Sequence, residues 1–295
     1  MRSFLSIVRT TALEILSEPL SLLVFLATLT VAVLAPAFHY HQFGEPTRMA
    51  RDAGFSALLT GGSVIAVFLT IRTFRREIES RTLEMVLSHP VSRAQFFLAK
   101  TVGALTAYLG CAAMVFLVSL TVVEGAAVGG EIASRTGDVA RIWGPALAAA
   151  VGVIVFPLVV GAGLNRFGRC RFVLSTFLVA ALLSVLCGGW VVVRDAALAV
   201  RMASVALPIV FFSVLLLLCS AAFSVRLAAA AAAAAVGVVT ALLVPVLGNY
   251  YLADALSNGG SASWGYVGLL ALVSAPAAGL FVLAGIAFVG KRDFS

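Results

Sequence analysis

Long apolar runs separated by short clusters of charge set the pattern of this chain. Leu20–Phe38, Phe55–Ile71, Phe96–Val123, Trp143–Leu164, Phe172–Val193, Ala203–Phe223, Leu227–Leu247 and Tyr266–Val289 are the apolar runs. Each is long enough to cross a hydrocarbon layer of roughly 30 Å as a helix rising 1.5 Å per residue. Hydropathy therefore predicts about eight spans. Between Ala203 and Leu247 only Arg226 interrupts the run, so six spans with irregular apolar segments stand as the alternative and the range is six to eight.

Before the first run the period changes. At 100° per residue Ser3, Ser6, Arg9, Thr10, Glu14 and Ser17 share one arc, and Phe4, Leu5, Val8, Ala12, Ile15 and Leu16 the opposite one. The apolar stretch Phe4 to Val8 is too short for a signal peptide. Residues 1–19 thus read as an amphipathic interfacial helix, with Pro19 turning the chain into residues 20–295, a membrane domain.

The longest charged stretch, Arg72 to Lys100, lies between the second and third runs. Arg75 with Glu79 and Glu77 with Arg81 stand four apart, while Phe74, Ile78, Leu83, Val86 and Leu87 give an apolar strip, so a short amphipathic helix is expected there. Pro90 ends it. Ser92 and Gln95 form an S-x-x-Q capping box opening the next helix, which starts at Arg93 and carries Lys100 into the third span. Arg93 and Lys100 are expected to anchor at the lipid headgroups.

Composition settles the solvent. With 62% hydrophobic residues, 11% charged residues and a mean hydropathy of +1.10 over 295 residues, the chain has more apolar surface than a core of this size can hide from water. The fold class expected is an all-α polytopic membrane protein. Of the 20 Lys and Arg residues, 14 fall on the side of the termini and of Arg72 to Lys100, and 6 on the other. Loops rich in them stay cytosolic, so both termini are expected in the cytosol. The net charge of +7 then reflects topology and anionic lipid, and no nucleic-acid partner is needed to explain it.

Catalytic and metal chemistry find little support. Cys111, Cys170, Cys187 and Cys219 have no paired spacing and read as small packing residues. His39 and His41 flank Tyr40 without a Cys, Met or carboxylate beside them, which suits an interfacial rim better than a copper or zinc site. Gly285 to Lys291 fits the first seven positions of a phosphate-binding loop, but Arg292 follows where Ser or Thr is needed. No metal, cofactor or catalytic residue is expected in this chain, and every Asp, Glu, Lys and Arg falls in a loop or at a span end. That weakens an ion-coupled carrier, which needs a site whose charge state changes inside the membrane. Ala99, Gly103, Ala107 and Cys111 form a small-residue stripe that suits close helix packing, within one subunit or between two. On the opposite side Glu124 to Arg141 reads as a mixed-charge loop, and Gly248 to Gly265 as an interfacial segment carrying Tyr250, Tyr251, Asp254 and Trp264.

The segment REIESRTLEMVLSHPVSRAQFFLAK resembles the stretch after the second span in permease subunits of ABC-2 type ATP-binding-cassette exporters. The shared features are Glu77, Thr82 with Leu83 and Glu84, Pro90, Ser92 with Arg93, and Lys100; Arg81 stands where the family often has Gly. GLNRFGRCRFVLSTF, Gly163 to Phe177, is similar to the basic turn between the fourth and fifth spans of permeases associated with multicopper-enzyme maturation, and FVGKRDFS resembles a common ending of the family. The resemblance implies a coupling segment at residues 72–95, docked through Glu77, Arg81, Thr82, Leu83, Glu84 and Met85 onto a separate ABC ATPase that holds ATP and Mg. It also implies a second cytosolic contact at Asn165, Arg166, Arg169 and Arg171, a second permease copy forming a homodimer or related heterodimer, and the bacterial cytoplasmic membrane as location. An ion-coupled secondary transporter and a membrane scaffold recruiting a cytosolic partner are the other functions weighed.

Overall fold

A computed structural model describes residues 2–34, 46–79, 92–136, 151–168, 171–248 and 261–290. Among these the regular structure is helical throughout. The helices are α1 (Arg2–Ser17), α2 (Pro19–Leu34), α3 (Pro46–Val64), α4 (Thr70–Glu79), α5 (Arg93–Thr136), α6 (Phe156–Gly168), α7 (Phe172–Arg194), α8 (Ala196–Arg226), α9 (Ala229–Gly248) and α10 (Trp264–Gly290). A π-helical turn at Ile65–Leu69 joins α3 to α4, and another at Val151–Val155 leads into α6.

Five helical stretches are long and apolar enough to cross a membrane: Thr47–Arg76, Arg93–Gly129, Phe172–Arg194, Ala196–Arg226 and Trp264–Gly290. A sixth crossing results if α1 and α2, bent by 65° at their junction, count as one broken span. The described part therefore carries five to six candidate spans in an all-α, multi-pass membrane protein. The remaining two of the eight apolar runs appear as the shorter apolar helices Gly152–Gly168 and Ala230–Thr240. Glu124 to Thr136, expected as loop, instead continues α5 without a break. The stretch holds three glycines, Gly125, Gly129 and Gly130, so intrinsic propensity does not explain the continued helix there.

α5 and α8 form the centre. α5 packs against α1, α2, α3, α7, α8 and α10, and α8 against α3, α4, α5, α7, α9 and α10. The core between them includes Phe25, Leu29, Leu58, Tyr108, Val115, Met202 and Leu217, all buried. The outer surface stays apolar: Leu178, Leu182, Leu186 and Trp190 on α7 and Leu272 and Leu280 on α10 are exposed, as a lipid-facing wall requires.

Local chemistry fixes the ends. The α1 to α2 bend is held by the Ser21 hydroxyl, which donates to the Ile15 carbonyl at 2.6 Å, while Pro19 opens α2 where its missing N–H costs nothing. Asp195 caps α8 by accepting from the Leu198 N–H at 2.9 Å. Small residues let helices meet closely. At Gly103 a β-carbon would lie 2.7 Å from Thr11 Cβ and 2.8 Å from the Val8 carbonyl, so glycine is what allows α1 to lie against α5. Gly285 of α10 similarly admits the Phe97 ring.

Candidate functional site: the base of the coupling segment

α4 precedes residues 80–91, and α5 begins after them. The return is built as the capping box predicts: the Gln95 N–H donates to Ser92 Oγ at 3.2 Å, and the Ser92 N–H to Gln95 Oε1 at 3.3 Å. One side of the charged segment is thereby given a fixed helical start.

The other side is fixed by charge. Arg72 meets Glu18 at 2.6 Å and Arg76 meets Glu14 at 3.5 Å. Glu14 and Glu18 are one turn apart at the end of α1, and Arg72 and Arg76 one turn apart on α4, so the two rungs match only because the helices run antiparallel. Arg75 extends the lacing by donating from Nη1 to the Leu227 carbonyl, 3.5 Å away, where α8 ends. Lys100 of α5 is buried, with 1% of its surface exposed. Its ammonium donates to the Thr73 carbonyl at 3.4 Å and sits 5.8 and 5.9 Å from the ring centres of Phe74 and Phe96. Phe74 also meets Phe97, tilted at 47° with centroids 5.6 Å apart, in a cluster with Ala221, Val225 and Val289.

The base of α4 is thus bonded to α1, α5 and the end of α8, and its Phe74 packs against α10. Arg93, exposed, donates to the Gly290 carbonyl at 3.4 Å, and Arg226 lies 5.4 Å from the Phe288 ring, so the end of α10 joins the same layer.

Of the residues expected at the site, Glu77 lies on α4 with its side chain outside the described residues, and Arg81, Thr82, Leu83, Glu84 and Met85 are wholly outside them. Arg93 is exposed at the helix start. Lys100 differs from expectation: it turns inward, because a carbonyl and two aromatic faces within reach replace its hydration. Asn165 and Arg166 are exposed on the last turn of α6, beside Phe167 with 87% of its surface exposed; Arg171 is exposed before α7, and Arg169 lies outside the described residues. The stripe Ala99, Gly103, Ala107 and Cys111 is buried within the subunit, with Gly103 against α1. Cys219 is buried and Cys187 exposed, while Cys170, His39, His41, Tyr250, Tyr251 and Asp254 lie outside the described residues.

Glu14 and Glu18 were not singled out from sequence as partners of the charged segment. The available signal was the shared spacing of four in two acidic and two basic positions, one pair on each helix. Residues 17–167, spanning α2 to α6 and the whole charged segment, match the model of a family described as ABC-2 family transporter protein. No curated protein and no solved structure matches the chain.

Proposed function

Because this chain belongs to the ABC-2 transporter family and is a permease of that type, we propose that it exports a substrate with energy from ATP hydrolysed, with Mg, on a separate ABC ATPase. Glu77, Arg81, Thr82, Leu83, Glu84 and Met85 make the docking surface, and Asn165, Arg166, Arg169 and Arg171, with exposed Phe167, make a second contact. Two permease copies, identical or related, enclose one pathway in the bacterial cytoplasmic membrane, with both termini in the cytosol. Residues 1–19 form an interfacial helix and 20–295 the permease body. The likeness of residues 163–177 to permeases of multicopper-enzyme maturation supports a place in that branch.

The observation that carries this reading is the bonding of the α4 base to α1, α5 and α8 through Arg72, Arg76, Arg75 and Thr73. A docking segment works only if its movement reaches the membrane helices, and here the segment emerges from a layer to which those helices are tied. ATP closure of the partner would shift residues 80–91, and the charged layer would pass that shift to the bundle.

The test is coupled turnover in nanodiscs containing the permease and its ATPase. Leu83→Ala and Glu84→Lys are expected to abolish permease-stimulated ATP hydrolysis while leaving membrane insertion intact. Wild-type stimulation in both variants would remove this segment from the coupling route. ATPase binding without any stimulation by the wild-type chain would favour a scaffold instead.

A further inference from the structure

Two π-helical turns occur among the described residues, and only one has a cause in its own sequence. The turn Val151–Val155 is followed by Pro157, which has no N–H to give to a carbonyl four or five residues back, so the regular ladder cannot form there. The turn Ile65–Leu69 lies inside the continuous span Thr47–Arg76, which contains no proline. Its cause is therefore the packing on either side of it.

Before the turn, α3 is locked by glycines. A β-carbon on Gly54 would lie 2.6 Å from Ser119 Oγ of α5, and Gly61 faces Thr28 of α2 at similarly close range. Contacts of this kind fix α3 in both rotation and height, because a slip of one residue drives a side chain into the neighbour. After the turn, α4 is held by other partners: Arg72 on Glu18, Arg76 on Glu14, and the Thr73 carbonyl on Lys100. Between the two halves the hydrogen-bond spacing changes. The Thr70 N–H donates to the Val67 carbonyl, three residues back, and the Thr73 hydroxyl adds a bond to the Leu69 carbonyl at 2.7 Å. A π turn closes its bonds over one residue more than an α turn does, so the two locked halves stand one residue out of step.

We propose that Ile65–Leu69 is a register joint, through which α4 advances by one residue against α3 when the ATPase draws on the docking segment. If the extra residue is taken into α geometry while α3 stays fixed, α4 moves about 1.5 Å along its axis and turns about 100°. Arg75 then stands where Arg76 stood, opposite Glu14, and Ile71 takes the place of Arg72 opposite Glu18. One rung of the ladder is kept and one is lost, so the nucleotide cycle must drive the advance and the ladder favours the return. Phe68, with 47% of its surface exposed at the turn, gives way without repacking the interior. The stroke rests on coupling to an ATPase, whereas the register mismatch does not.

Single-residue deletion tests both. Deleting Phe68 removes the extra position and leaves both halves on their present partners, so Tm in detergent is expected to equal or exceed that of the native chain. Deleting Leu59, in the regular part of α3, puts the glycine contacts on one side out of register and is expected to lower Tm sharply. In nanodiscs with the ATPase, the Phe68 deletion is expected to bind the ATPase as the native chain does and to lose permease-stimulated hydrolysis. Phe68→Ala keeps the extra position and is expected to retain that stimulation. A Phe68 deletion that fails to fold, or loses as much Tm as the Leu59 deletion, would overturn the joint; native stimulation in it would overturn the stroke. Should the native chain itself give no stimulation, the coupling reading fails, and the Tm comparison alone decides the joint.

Discussion

Lys100 turns inward, where Thr73 offers its amine a carbonyl and Phe74 and Phe96 offer ring faces. From sequence its place at the start of a span was readable, but its direction was not, since the groups that draw it inward include residues of another helix. Gly103 is a similar case: small-residue spacing announced close packing, and only the folded chain shows that α1 is the neighbour. Replacing Gly103 by Val should destabilise the chain by about 1–3 kcal/mol, because Thr11 and the Val8 carbonyl leave no room for a branched side chain. Gly110, with open space around its missing β-carbon, is the comparison: Gly110→Ala should leave Tm unchanged or slightly raised. Thermal unfolding in detergent reads both.

At the scale of elements, information that is local in sequence proved readable. The Ser92 and Gln95 capping box forms as expected because both partners lie within one turn, and Pro19 marks the α1 to α2 junction. The apolar runs predict where helices lie, yet they say nothing of the 65° bend, which depends on what α1 packs against. The charge ladder of Glu14 and Glu18 with Arg72 and Arg76 escaped notice for the same reason. Truncating the cap, Ser92→Ala, should cost about 1 kcal/mol locally and speed amide hydrogen exchange in the first turn of α5, with Val118 and Leu120 in its interior unaffected. Hydrogen exchange with mass spectrometry measures it. Equal exchange in both proteins would mean that packing alone holds that helix start.

For the molecule as a whole, charge is sorted between two ends. Glu14, Glu18, Arg72, Arg76, Arg93 and Arg226 gather at one, whereas Arg194 and Glu124, 3.7 Å apart, and the Asp195 cap lie at the other. The sequence allowed this sorting to be counted, because Lys and Arg residues cluster by loop. In a chain whose four cysteines are replaced, a membrane-impermeant maleimide should label Arg194→Cys in intact cells and Arg226→Cys only after permeabilisation. The reverse pattern would invert the orientation and place residues 80–91 outside the cell, ending their role as an ATPase dock. Both ends are bridged by α5, whose 44 residues make a rod of roughly 66 Å, about twice the hydrocarbon thickness. Held near its foot by Lys100 and along its side by α1, such a rod converts a tilt of about 5° into a sweep of roughly 5 Å at its far tip. A small rotation at the Lys100 end of α5 would therefore surface as a visible displacement of its far end at Thr136.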